Sequence, residues 1–279
     1  MNDAVRDCID VYLQEYTREN IIARYVARTA GAGIAYVLEN VYAPVYADVI
    51  DTLLRGRPPS QPFRILEYGC GGGMNLLKLV EIVQSRGARV ERGYGTDFSA
   101  PMIEAAQREA VAYLPRDMTS KLTFLVARNE TLLFDLARLA PEPSSALYGG
   151  FDIVIGVNTF RYAHRLGAED SCARDLFALL RPGGYSIMID MNRRFPLFRS
   201  RVRDLITRPK DERYIPSLRR YAEPFGNAGF EIDRAENFCW IPHSASSSLL
   251  RICRSLAPVL DACCRPLAMR SLVVAHKPG

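Results

Sequence analysis

The sequence predicts an α/β protein whose parallel sheet is covered by helices on both faces. Three observations predict it. Short apolar runs alternate with longer stretches of helical period, a strand following each helix. Four glycines crowd into five positions in ILEYGCGGGMN (65–75), between an apolar run and the helix-patterned LLKLVEIV. Pro and Gly clusters fall between the periodic stretches rather than inside them.

The elements follow in order. Residues 1–57 are patterned for helices, with Ile34, Val37, Leu38 and Val41 recurring at intervals of three and four. RGRPPSQP (55–62) ends them and marks a boundary. FRILEYG (63–69) reads as a buried strand, LLKLVEIVQSRG (76–87) as a helix and VERGYGTD (90–97) as a second strand. In SAPMIEAAQREAVAYL (99–114), Ser99 is the expected N-cap and Pro101 sits in the first turn. KLTFLVA, FDIVIGV and YSIMIDM are strands three to five, and CARDLFALLRPGG is a helix closed by Pro-Gly-Gly. GFEIDRAENF and MRSLVVAH are the last two strands. Between them SLLRICRSLAPVLDACCRPL is an amphipathic helix that Pro258 is expected to break.

Composition bounds the function. The chain has 279 residues, a hydrophobic fraction of 48% and a net charge of +5, enough apolar content for a large core. No apolar run approaches the ~20 residues that span a bilayer, and MNDAVRDCID is charged throughout. A cytoplasmic protein without a membrane partner is the expectation. Seven cysteines, odd in number and without a CxxC pair, argue against disulfides and against a zinc site. Cys263 and Cys264 read as packing residues. Only four of the 36 basic residues are lysine. This arginine bias fits a GC-rich genome better than a nucleic-acid partner.

The glycine cluster asks for a ligand. A strand-to-helix turn at the carboxyl end of a parallel sheet is where such sheets bind ligands, and glycine lets a ligand lie against bare backbone. No register of the cluster completes GxGxxG, and no GK[ST] makes a phosphate loop. What stands is Glu67-x-Gly69-x-Gly71-x-Gly73. Asp97 ends strand two, where a carboxylate accepts from ribose hydroxyls; the competing reading is a helix cap for DFSAPM.

With EYGCGGG (67–73), TDFSAPMI (96–103), FDIVIGVNTF (151–160) and LLRPGG (179–184) in this order, the chain resembles the class I S-adenosylmethionine-dependent methyltransferases. The resemblance implies a doubly wound, Rossmann-like, seven-stranded sheet, mostly parallel with an antiparallel last strand. It implies S-adenosylmethionine as methyl donor, S-adenosylhomocysteine as product, and no metal. By it, Gly69, Gly71 and Gly73 lie against the methionyl and ribose parts, Glu67 faces the ammonium, and Asp97 holds the ribose diol. Phe98 and Met102 pack near adenine, and Asn158 faces the methionyl group and the acceptor. Relatives often carry an Asp after strand three for the adenine amine. Here Arg128 stands at that position with Asn129 beside it, and Asn129 takes the role because an amide oxygen accepts and a guanidinium does not.

The resemblance also divides the chain into an N-terminal helical lid and acceptor segment (1–57) and a donor-binding domain (58–279) carrying a helical insertion at about 241–268. Tyr12, Tyr16, Tyr25, Tyr36, Tyr42 and Tyr46 suit either a pocket lining or a packed helix face. NTFRYAHR follows strand four without NPPY or DPPY. Its His164, Arg161 and Tyr162 are the candidate catalytic residues, as base, carboxylate clamp and acceptor contact, against the alternatives of a capping histidine and a solvated arginine. Trp240 and His243 are placed near the acceptor by their position between the last two strands. The expected function is methyl transfer to a small-molecule acceptor at O, N or S, carboxylate-bearing, amino-acid-like or aromatic, in specialised metabolism. Two alternatives stay open: an RNA or protein methyltransferase using the basic stretch Arg193–Arg220, and a protein that binds S-adenosylmethionine without transferring its methyl. The oligomeric state is open, a homodimer included.

Overall fold

The computed structural model describes residues 22–26, 29–58, 61–198 and 215–279. Helices of six residues or more are labelled here in chain order. α1 (Ala32–Val37) runs through a π-helical turn, Leu38–Tyr42, into α2 (Ala43–Arg55). β1 (Phe63–Tyr68) leads by the glycine loop into α3 (Met74–Ser85). β2 (Val90–Asp97), α4 (Ala100–Tyr113), β3 (Leu122–Val126) and α5 (Leu132–Leu139) follow. β4 (Phe151–Val157), α6 (Phe160–Leu166), α7 (Glu169–Leu179) and β5 (Leu180–Met191) complete the parallel part. α8 (Leu218–Asn227), β6 (Glu231–Phe238), α9 (Ser247–Cys264) and β7 (Arg270–His276) close the chain.

The strands form one seven-stranded sheet in the order β3-β2-β1-β4-β5-β7-β6. β1 to β5 pair in parallel, whereas β7 runs antiparallel to both β5 and β6. The chain reverses direction across the sheet between β1 and β4, so the carboxyl ends of β1, β2 and β4 open on one crevice. Ser99 caps α4 as expected, its hydroxyl accepting from the Met102 N–H.

Two cores sandwich the sheet. One face carries Ile65, Ile153 and Ile187 against Val37, Tyr46, Val49 and Ile50 of the N-terminal helices and Leu76, Leu79 and Val83 of α3. The other carries Leu66, Val154 and Met188 against Phe160, Leu176, Tyr221 and Phe225. Alternate residues of β1 therefore face opposite layers, the pattern of a strand buried on both sides.

Several expectations are corrected. Pro258 lies inside α9 without ending it, because the helix lies on the surface with no buried residue and its freed carbonyl reaches water. The same exposure overturns the packing role of Cys263, which is exposed, and Cys264, which is half-buried. Leu180–Gly184 extends β5 rather than closing a helix. Tyr12, Tyr16 and most of the Arg193–Arg220 stretch lie outside the described residues. No helix among the described residues is long and apolar enough to cross a membrane.

Candidate functional site

The glycine loop takes its shape from backbone that other residues resist. Gly69, Gly71 and Gly73 have φ of +65°, +51° and +79°, the left-handed region that glycine enters without strain. A Cβ on Gly69 would fall 2.2 Å from Thr159 Oγ1 and one on Gly72 2.1 Å from the Tyr25 carbonyl oxygen. On Gly71 the nearest atom would be Tyr25 Cβ at 3.8 Å. The loop is thus packed tightly on two sides, while Gly71 faces a cavity that opens to solvent.

Two buried carboxylates hold this loop. Asp97, at the end of β2, accepts from the Gly71 N–H and from the Ser99 N–H, both at 2.9 Å. It therefore braces Ser99, the residue that caps α4, and serves as a strut for the loop. Burial pushes its carboxyl up to about 6, against the pull of those two bonds. Glu67, at the end of β1, accepts from the Leu76 N–H at 2.9 Å in the first turn of α3 and from Asn75 Nδ2 at 3.0 Å. Burial raises it to about 8 even so. Asn75 in turn accepts from the Tyr46 hydroxyl at 2.9 Å, so α2 fixes the Glu67 carboxylate through one intermediary.

Glu67, Gly69, Gly71, Asp97, Phe98, Met102, Asn129, Asn158 and Tyr162 all line the cavity. Gly73 does not; its left-handed turn starts α3 beneath it. Asn129 Nδ2 donates to Thr159 Oγ1 at 2.7 Å, which leaves the amide oxygen for another donor. Arg128 does not line the cavity, and its backbone N–H donates to Asp135 at 3.1 Å. Asn158 has φ +57°, a conformation asparagine tolerates, and its Oδ1 accepts from Arg270 Nη1 at 2.5 Å.

Two of the three candidate catalytic residues fall elsewhere. α6 buries Phe160, Ala163 and His164 as an i, i+3, i+4 stripe against the second core. His164 lies edge-on to Phe160, stacked on Tyr221 and 3.5 Å from Glu169. It does not line the cavity, and burial lowers its pKa. Arg161 is also buried: its Nε is 3.5 Å from Asp190 and its Nη2 donates to the Tyr162 hydroxyl at 2.9 Å. The guanidinium neutralises Asp190 and steadies Tyr162 instead of reaching an acceptor. Trp240 is turned away as well, bonded to Asp261 at 2.8 Å.

Other residues take their place. Tyr25, Ile34, Leu38 and Tyr42 line the cavity, as does His243, which its position between the last two strands placed near the acceptor. Tyr42 Oη lies 3.0 Å from His243 Nε2 across 201 residues of sequence. The repeated tyrosines of the N-terminal segment were the only signal for Tyr42. For Thr159, Asn75 and Arg270 the sequence carried none.

The residues present fit S-adenosylmethionine. Gly71 presents bare backbone to the cavity, Asp97 and Glu67 supply acceptors for a diol and an ammonium, and Phe98 and Met102 add an apolar surface. Among the described residues no group of His, Cys, Asp and Glu is arranged to hold a metal ion.

Comparison with known proteins gives the same direction. A family model described as a methyltransferase domain matches residues 60–215. The non-reducing polyketide synthase tazA of Aspergillus terreus is 28% identical over 160 residues, 57% of this chain but 6% of that protein. The chain therefore spans a small fraction of this curated relative. Among solved structures, the citrinin polyketide synthase CMeT domain superposes with a TM-score of 0.56 at 17% identity, covering 93% of this chain and 56% of that one. The CurJ carbon methyltransferase gives 0.51 at 17% identity, with 88% and 57% covered. These structures share the fold.

Proposed function

The chain belongs to the methyltransferase-domain family and is an S-adenosylmethionine-dependent methyltransferase, and from that premise we propose that it methylates a small-molecule acceptor of specialised metabolism. The observation that carries the reading is a single cavity lined both by the glycine loop with its two carboxylates and by an aromatic wall from residues 25–42 and His243. A cavity with a donor-type loop on one side and an aromatic wall on the other suits an acceptor of modest size.

In this reading Asp97 holds the ribose diol, Glu67 the ammonium, and Asn129 the adenine amine between Phe98 and Met102. The Gly69–Gly73 backbone carries the methionyl chain, and Asn158 and Tyr162 face the reacting methyl. The bound donor supplies an electrophilic sulfonium methyl. The protein's share is to align the acceptor, exclude water and leave the thioether a clear exit. Tyr25, Ile34, Leu38 and Tyr42, ahead of the core-packed α2, cover the acceptor side of the cavity. The similarity to a polyketide synthase and to a carbon methyltransferase supports adding an activated carbon to the O, N and S atoms considered from sequence.

The test is a panel of β-ketoacyl thioesters, phenols, carboxylic acids and amines, each incubated with S-adenosylmethionine while S-adenosylhomocysteine release is followed. Turnover with one class supports the reading. Turnover only with RNA or protein overturns it.

A further inference from the structure

The glycine loop explains where the donor sits, but the far wall of the cavity carries a polar arrangement that donor binding does not use. Tyr42 and His243 both line the cavity and are joined at 3.0 Å. The loop bearing His243 is fastened to the N-terminal helices by close backbone contact. The Gly33 N–H donates to the Ala245 carbonyl at 3.1 Å. A Cβ on Gly33 would meet the Pro242 carbonyl oxygen at 2.5 Å and the His243 carbonyl oxygen at 2.9 Å. Only glycine permits this approach, and the approach brings the imidazole to Tyr42. Behind the pair stands Arg270, 3% exposed, with its Nη1 on Asn158 of the cavity wall. Its charge acts on Tyr42 and His243 alike.

Burial and Arg270 together keep the imidazole neutral at physiological pH, its pKa well below the ordinary value. Burial likewise keeps the Tyr42 phenol protonated. The 3.0 Å contact fits either direction; when the Tyr42 hydroxyl donates to Nε2, the neutral imidazole carries its proton on Nδ1 and is a donor there. A neutral donor backed by a buried cation is poorly suited to removing protons. It is well suited to receiving an anionic oxygen.

We infer that Tyr42, His243 and Arg270 form an oxyanion-receiving wall, so that the acceptor class is one methylated as an oxygen-stabilised anion, an enolate or a phenolate. This rests on the proposed small-molecule function and narrows it. The acceptor gives its proton to solvent and binds as the anion. Its carbon or oxygen then forms the new bond to the methyl while the methyl–sulfur bond breaks and its electron pair stays on sulfur. His243 is the contact to the anion, and Tyr42 is a positioning residue that sets the ring and its tautomer.

The probe is 4-nitrophenol, whose ionisation is read by its visible absorbance, titrated into protein loaded with S-adenosylhomocysteine. The wild type should bind the phenolate about 10- to 100-fold more tightly than the phenol, the range of one hydrogen bond to a charged partner. His243→Leu should abolish that preference, and His243→Gln, which keeps a donor, should retain part of it. Tyr42→Phe should weaken it. Calorimetry of S-adenosylhomocysteine on the same samples reports that each variant is folded, and His243→Gln decides the matter if His243→Leu is not. Equal binding of phenol and phenolate by the wild type, or an undiminished preference in His243→Leu, would overturn the inference alone. Failure of the wild type to bind S-adenosylhomocysteine would overturn the proposed function with it.

Discussion

Placing a single methyl group on Gly71 separates the loop's role in the fold from its role in binding. Gly71 has φ +51°, and a Cβ there meets nothing closer than Tyr25 Cβ at 3.8 Å. The folded protein thus has room for alanine and bears only the left-handed backbone cost, ~1–2 kcal/mol. At about 2–4 °C per kcal/mol for a domain of this size, the melting temperature should fall by about 2–8 °C. Gly87, just past the end of α3, is the internal control: its φ is +71° with nothing within 4 Å of a Cβ, and it lies outside the cavity. Gly87→Ala should lower the melting temperature by a similar amount. The two variants should part in their affinity for S-adenosylmethionine. The new methyl of Gly71→Ala projects where the donor is to lie. Overpacking of ~1–3 kcal/mol there weakens binding about 5- to 150-fold, while Gly87→Ala binds as the wild type does. Calorimetric titration and differential scanning on the same preparations give both quantities. If Gly71→Ala binds as tightly as Gly87→Ala, the donor does not lie on this loop and the site assignment fails.

Three further outcomes are expected. Asp97→Asn keeps the size but turns an amide N–H₂ toward one of the two backbone donors that Asp97 now accepts, and should weaken S-adenosylmethionine binding by ~1.5–3 kcal/mol; unchanged affinity by calorimetry would count against the ribose role. Glu67, at about 8 in the free protein, has a folded pKa above its unfolded one, so its contribution to stability is full below ~4.5 and is lost as pH rises through 8. A bound ammonium lowers that pKa, so S-adenosylmethionine should bind more tightly from pH 6 to 8 with release of a proton, seen as buffer-dependent heats, and Glu67→Gln should remove the dependence. Asp152, 3% exposed, joins Arg57 at 3.1 Å, Arg181 and the Arg64 N–H at the end of the sheet away from the glycine loop. Asp152→Ala should cost ~3–5 kcal/mol in denaturant unfolding by stranding the buried Arg57 guanidinium, with donor affinity of the folded protein unaltered.

The parts of the fold that could be read from sequence are those whose signals are local. The strands, the capped start of α4 and the glycine loop announce themselves through periodicity and through residue types that only special backbone demands. The sequence offers Asp97 as either ribose acceptor or cap; in the structure Ser99 is the cap, and Asp97 braces Ser99 and Gly71 while lining the cavity. His164 was misplaced because nearness in sequence to the β4 loop says nothing about helix face, although the Phe160, Ala163, His164 spacing already pointed to a buried stripe. Arg161 was misread because its partner Asp190 lies on the neighbouring strand, 29 residues on. Tyr42 and His243 could not be paired from sequence, since their meeting depends on how α1 docks onto the loop after β6. Gly33, where a Cβ would meet the Pro242 and His243 carbonyl oxygens, permits that contact, but no local pattern in the sequence marks it.

The central claim is that this cavity brings a methyl donor and a small acceptor together. The direct test is incubation with methyl-labelled S-adenosylmethionine and a fractionated cell extract, with the label followed by mass spectrometry. The account predicts label in a small acid-soluble compound and S-adenosylhomocysteine released in equal amount. Label in RNA or protein, or S-adenosylmethionine bound and left intact across every fraction, would contradict it.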